Sequence, residues 1–204
     1  MRSFGSLALF VFLSFAGAAQ AASQQDRDDC DKASGDKAIA ACTRVVQDQG
    51  ESAKARATAY FSRGVRYQHN GDNDRAIATF NEVIRLDPKD ALAYFYRGNA
   101  RYASKDNDRA IADYTESIRL NPKYAWAYNN RGHTYFVKKD YDRALTDFND
   151  AIRLDPKEMR AYYNRGRFYG TRGDNDRAIA DFRKAVELGH EHALEELRKL
   201  GAKP

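Results

Sequence analysis

The chain has 204 residues, of which 34 are Lys or Arg and 29 are Asp or Glu, giving a formal charge of +5 at neutral pH. The two signs alternate closely, as in Asp72-Asn73-Asp74-Arg75, so no single-sign block is long enough to follow a phosphate backbone, which argues against a nucleic-acid partner. Cys30 and Cys42 are the only cysteines, and their spacing rules out a Cys-x-x-Cys redox pair.

The N-terminal segment reads as an export leader. Arg2 is followed by the apolar run Leu7-Ala8-Leu9-Phe10-Val11-Phe12-Leu13-Ser14-Phe15-Ala16, and Ala19-Gln20-Ala21 supplies a small-x-small cleavage site. The run is shorter than the roughly 18 to 20 apolar residues that a membrane-spanning helix needs. Residues 1–21 are therefore expected to be a signal peptide, removed after Ala21 to leave an exported chain, periplasmic or secreted, with no membrane segment. No Cys stands at the junction to carry a lipid.

Residues 22–56 look like a worn copy of a repeat that is clearer downstream. Gly35-Asp36-Lys37-Ala38-Ile39-Ala40-Ala41-Cys42 parallels Gly71-Asp72-Asn73-Asp74-Arg75-Ala76-Ile77-Ala78-Thr79-Phe80 with two residues missing, which predicts a helical cap on the array. Cys30 and Cys42 flank the turn at Ser34-Gly35-Asp36, on two helices expected to run antiparallel. A disulfide between them is expected, the alternative being two buried thiols. In an exported chain such a closure stabilises by about 3 kcal/mol in the chain-entropy model.

From Ala57 one 34-residue period governs the chain. It links Arg63-Gly64, Arg97-Gly98, Arg131-Gly132 and Arg165-Gly166, and likewise Asp74-Arg75-Ala76-Ile77, Asp108-Arg109-Ala110-Ile111, Asp142-Arg143-Ala144-Leu145 and Asp176-Arg177-Ala178-Ile179. Apolar residues recur every three to four positions in two runs per unit, so each unit is two helices. Asp72, Asp106, Asp140 and Asp174 stand where the second helix begins, ready to accept its free backbone N–H groups. Asp87-Pro88, Asn121-Pro122 and Asp155-Pro156 end it, because proline disfavours helical geometry in the residue before it. The glycine column and Ala76, Ala110, Ala144 and Ala178 allow close helix approach. Tyr60, Tyr94, Tyr128 and Tyr162, with Phe80, Tyr114, Phe148 and Phe182, fill the space beside them.

These columns resemble the tetratricopeptide repeat family, whose 34-residue pattern combines an aromatic, a Leu-Gly pair, a Tyr, an Ala, a Phe and a Pro. The resemblance covers residues 57–190 and implies an all-α α-solenoid of four helix-turn-helix units, 57–90, 91–124, 125–158 and 159–190, with the helical cap at 22–56 before them. Residues 191–204 hold a capping helix with Leu194, Leu197 and Leu200 on one side and charges on the other, and Gly201 ends it. Arg63, Arg97, Arg131 and Arg165 depart from the family's Leu column. They are expected to snorkel, or to form ion pairs between units with Asp113, Asp147 and Asp181 as partners. Arg101 stands where a Tyr is expected, and His190 where a Pro is expected.

The sequence offers no catalytic constellation. His190-Glu191-His192 lacks the four-residue spacing of a helical zinc pair, no Ser-His-Asp or Cys-His order suggests a nucleophile, and no Gly-rich loop follows a strand. Neither metal nor cofactor is expected, and the chain reads as a non-enzymatic scaffold for a protein or peptide partner. The resemblance implies a concave groove lined by the first helices. The residues expected there include Phe95, Asn99, Tyr102, Trp126, Asn129, Asn130, His133, Arg160, Tyr163, Asn164 and Arg167, with Asn99, Asn130 and Arg167 facing outward. A family subclass grips a peptide carboxylate with Lys, Asn and Arg. Asn99, Asn130 and Arg160 suit that grip but Phe95 and Asn164 break it, so its ligand is not expected. The alternative function is structural, with weak self-association through the convex face or the ends.

Overall fold

The structure, a computed structural model, describes residues 21–203. Apart from Ala21, the expected leader lies outside the described residues, and among these no helix is long and apolar enough to cross a membrane. Eleven α-helices and no strands occur in the described part: α1 Gln24–Lys32, α2 Gly35–Gln47, α3 Ala53–His69, α4 Asn73–Leu86, α5 Ala91–Ala103, α6 Asn107–Leu120, α7 Ala125–Val137, α8 Tyr141–Leu154, α9 Met159–Thr171, α10 Asn175–Glu187 and α11 His192–Lys199. Each helix packs on the next, and α3, α5, α7 and α9 also touch one another in succession. The first helices thus line the inner surface of an α-solenoid, with the second helices behind them.

The punctuation works as the residue types require. The carboxylates of Asp72, Asp106, Asp140 and Asp174 accept the backbone N–H of Arg75, Arg109, Arg143 and Arg177, capping α4, α6, α8 and α10. Gly98 is buried so tightly that a methyl group on it would lie 2.7 Å from the Tyr114 ring, and Gly64, Gly132 and Gly166 are covered as closely. In the turn between helices, Gly71 and Gly173 have φ of 76° and 77°, but the same place in the middle units is taken by Lys105 and Lys139, both at φ 64°. The backbone geometry is kept although the side chain opposes it.

The N-terminal cap forms as expected, with Cys30 and Cys42 joined in a disulfide between α1 and α2. Ala22, both cysteines, Val45, Val46 and Ala59 make a small core of their own. The first unit differs from its expected boundary at residue 57. Helix α3 starts at Ala53, because the Ser52 hydroxyl accepts the Ala55 N–H and caps it there.

The arginine column is ordered by carboxylates, but not between units. Arg97, Arg131 and Arg165 each pair with the Asp lying 16 residues ahead in their own unit, through Nε and Nη2. The link to the preceding unit is instead a hydrogen bond to a neutral acceptor, from Nη1 to Asn81, Thr115 and Asn149 respectively. Each guanidinium also lies 5.3 to 5.8 Å from a ring of the Tyr94, Tyr128 and Tyr162 column. Arg101 adds a second cation to Asp113, at 2.8 Å, which explains why an Arg stands in a Tyr column there. Thr79 stands 16 residues after Arg63, where the other units have an Asp. Arg63 hydrogen-bonds Thr43 of the cap, and its Nε is buried without a partner.

Candidate functional site

Helices α5, α7 and α9 carry the residues expected on the concave face. The structure sorts them into two sets. The first is a chain of amides. Asn164 Nδ2 donates to Asn129 Oδ1 at 2.9 Å, Asn129 Nδ2 to Asn130 Oδ1 at 3.1 Å, and Asn130 Nδ2 to Asn99 Oδ1 at 2.8 Å. Tyr114 closes the chain by donating its hydroxyl to Asn99 Oδ1 at 2.9 Å. Burial raises the Tyr114 phenol far above its usual range, so it stays a donor. Asn129 is only 3% exposed, which corrects its placement on the binding face. Asn99 and Asn130 are half-buried, and their amides hold neighbouring units in register. Phe95, also expected in the groove, is core, packed on Tyr114 and Tyr124.

The second set remains accessible and is aromatic and cationic. Trp126 is 42% exposed, and the Arg160 guanidinium lies 5.3 Å from its ring centre. Arg160 is positioned at the start of α9, where its backbone N–H is accepted by the buried Glu158 carboxylate at 3.0 Å. Burial pushes that carboxyl up, against the pull of the Arg160 N–H and charge. Arg167 is exposed and sits 5.8 Å from both the Phe136 and Tyr163 rings. Tyr102 and His133 meet edge to face at 5.4 Å, joining α5 to α7. Burial, and then the nearby charge of Arg167, holds the His133 imidazole below its usual value.

One member of this surface was not read as such in the sequence. His190, considered there only as a metal ligand, stacks on Tyr163 with ring centres 4.2 Å apart and planes 17° from parallel. The clue available was its place in the Pro column, where a planar side chain after Gly189 can lie over α9, the first helix of the same unit. His192 adds a second imidazole 6.0 Å away. His190, Tyr163, Arg167 and Phe136 thus form a continuous tract from the end of the fourth unit into the third. Arg–aromatic contacts of this kind contribute about 0.5 to 1 kcal/mol at exposed sites, and Trp, Tyr and Arg are the side chains in which binding hot spots are enriched.

What the fold and this face define is a helical-repeat array with an open inner surface. Models of the TPR repeat match residues 64–105 and 98–139, and models of the tetratricopeptide repeat match residues 125–158 and 160–188. The chain belongs to the tetratricopeptide repeat family. Among solved structures it is similar to MamA, at 27% identity over 83% of this chain and 94% of that one, with a TM-score of 0.67. It is similar in fold to MamA from Desulfovibrio magneticus RS-1, at 20% identity over 82% and 92% of the two chains and a TM-score of 0.70. It is also similar in fold to YrrB, described as a TPR protein with an unusual peptide-binding site, at 20% identity over 85% and 86% and a TM-score of 0.64. No curated protein matches the chain. Membership of the family supports a protein-interaction scaffold.

Proposed function

We propose that the protein works outside the cytoplasm as a non-enzymatic scaffold that holds a peptide or protein segment in its concave groove. The observation that carries this reading is the tract of Trp126, Arg160, Tyr163 and Arg167, at least partly accessible on first helices whose asparagines are already bonded to one another. Because Asn99 and Asn130 are tied into the amide chain, specificity falls to the arginines and aromatics. A partner segment would use carboxylates or backbone carbonyls against Arg160 and Arg167 and flat or apolar groups against Trp126 and Tyr163.

The test is photo-crosslinking in the native compartment with a photoreactive residue at position 126 on α7, and a second probe at the exposed Arg119 on α6. A partner attached from position 126, absent from 119 and lost when Arg160 and Arg167 are changed to Ala, supports the groove. Attachment from 119 alone overturns it. A second copy of this chain captured from 119 would favour the self-associating function.

A further inference from the structure

The N-terminal core contains a charge arrangement that the repeat pattern does not require. Ala22 is 7% exposed, with its methyl group among Cys30, Val45, Val46 and Ala59. Its backbone nitrogen lies 2.8 Å from Oδ2 of Asp48, a residue only 9% exposed at the end of α2. The other oxygen, Oδ1, accepts the Gly50 N–H at 2.8 Å. These two N–H groups hold the Asp48 carboxyl below its usual value against its burial. Ala21, the residue before, is exposed. The chain therefore passes from solvent into a closed site across the Ala21–Ala22 bond, the bond at which the leader is expected to be cut.

Among the described residues no side-chain cation is paired with the Asp48 carboxylate. The charge of Arg27 on α1 acts on Asp48, but its guanidinium pairs with Glu51. Asp26, beside the Ser23 N–H, is taken by that N–H and by Arg44. The Asp48 carboxylate thus faces a backbone nitrogen with a buried negative charge and only neutral donors in direct contact. A buried carboxylate is far better matched by a charged, hydrogen-bonded partner than by neutral ones.

We propose that Asp48 and the apolar pocket around the Ala22 methyl form a docking socket for the α-ammonium group created when the leader is removed. Water adds across the Ala21–Ala22 peptide bond in a peptidase-catalysed step. The acyl carbon leaves with the leader as the Ala21 carboxylate, and the Ala22 nitrogen becomes an amine that is protonated at neutral pH. Processing converts the donor at that atom from a neutral amide into a charged ammonium facing the same carboxylate. It thereby fastens α1, with the disulfide it carries, onto α2 and the start of α3. The inference rests on removal of the leader after Ala21 and is independent of what the concave groove binds.

The sign of the pH dependence follows. A free α-amine titrates at about 8. Docked beside the Asp48 carboxylate, with the charge of Arg27 opposing, its folded-state value lies above that. The stabilisation is complete below about pH 8 and is lost as pH rises through the folded value.

The experiment uses the full mature chain, residues 22–203 and Pro204, released with Ala22 as its first residue and labelled with 15N at that nitrogen. The amine is titrated by NMR in the wild type and in Asp48→Asn, which keeps an oxygen for the Gly50 N–H. The expected result is a midpoint clearly above about 8 in the wild type that returns to about 8 in the variant, with at least a tenfold slower reaction of the wild-type amine with an amine-reactive reagent at neutral pH. Equal midpoints and equal reactivities in the two proteins would overturn the socket. N-terminal mass spectrometry of the exported protein separately tests the processing site. A different first residue there would overturn the use of the socket in the cell, whatever the titration shows.

Discussion

Arg131 and Asp147 form a two-pronged ion pair, at 2.9 and 2.8 Å, in which the carboxylate side chain is 4% exposed and the guanidinium 18%. Burial pushes the Asp147 carboxyl up, and Arg131 pulls it back. The third arm of the same guanidinium reaches Thr115 in the preceding unit at 3.1 Å. One side chain therefore fixes both the pairing of helices within a unit and the spacing between units. Asp147→Ala leaves the guanidinium largely buried without its anion and should cost about 3 kcal/mol. Replacing the pair with the family's apolar choice, Arg131→Leu with Asp147→Ala, should recover most of that loss. Hydrogen exchange is the measurement to use, because a repeat array melts unit by unit. Faster exchange confined to α7 and α8 in the single variant, reversed in the double, is the expected outcome.

Lys105 and Lys139 hold a left-handed backbone that their neighbours in the array fill with glycine. The side chain clashes with the backbone in that region, while glycine does not, at the expense of a freer unfolded chain. Lys139→Gly should therefore stabilise by up to about 1 kcal/mol. The Lys138–Asp108 contact between units lies next to it and is unaffected. Urea unfolding of the wild type and variant side by side checks this, and a lower midpoint in the variant would contradict it.

The fold was legible because its signals were redundant. Gly98 and Tyr114, Asp106 and the Asn121-Pro122 break each report the same helix pair by a different physical route, and every route repeats at 34 residues. The site was only half legible. Trp126 and Arg160, which share one column of the repeat, and Arg167, seven residues after Arg160, are accessible. Asn129 could not be placed from spacing alone. Whether an amide faces solvent or the next unit depends on which partner lies across the gap, here Asn164, which donates to Asn129 Oδ1, while Asn129 Nδ2 donates to Asn130 on the same helix. The arginine column was assigned the right carboxylates, but its direction within a unit depends on a helix-to-helix approach that the sequence does not display.

The Cys30–Cys42 bond holds α1, a nine-residue helix with Cys30 as its one buried side chain, against α2. So short a helix is not stable alone. Reduction should remove about 3 kcal/mol from this cap by the loop-entropy model and leave the four repeats folded. Helix content by circular dichroism should fall only by the contribution of α1. Exchange protection should drop over residues 24–47 and persist from α5 onward. Cooperative loss of the whole array on reduction would show that the cap, not the repeats, governs stability.

His133 gives the groove a pH dependence whose direction is fixed by the structure. Burial, followed by the charge of Arg167, lowers its imidazole below the ordinary 6.5. The unfolded chain therefore binds this proton more readily than the folded one. The associated stability is present above pH 6.5 and is lost as pH falls from 6.5 through the folded value. His190 is shifted the same way, by burial and then by His192. Protonation also places a cation beside Tyr102 and Arg167, so the groove becomes more positive as it becomes less stable. An NMR titration should show the His133 ring with a midpoint below 6.5 that moves upward in Arg167→Ala. A midpoint unchanged by Arg167→Ala would mean that burial alone sets the shift, and that the two side chains do not share one surface in solution.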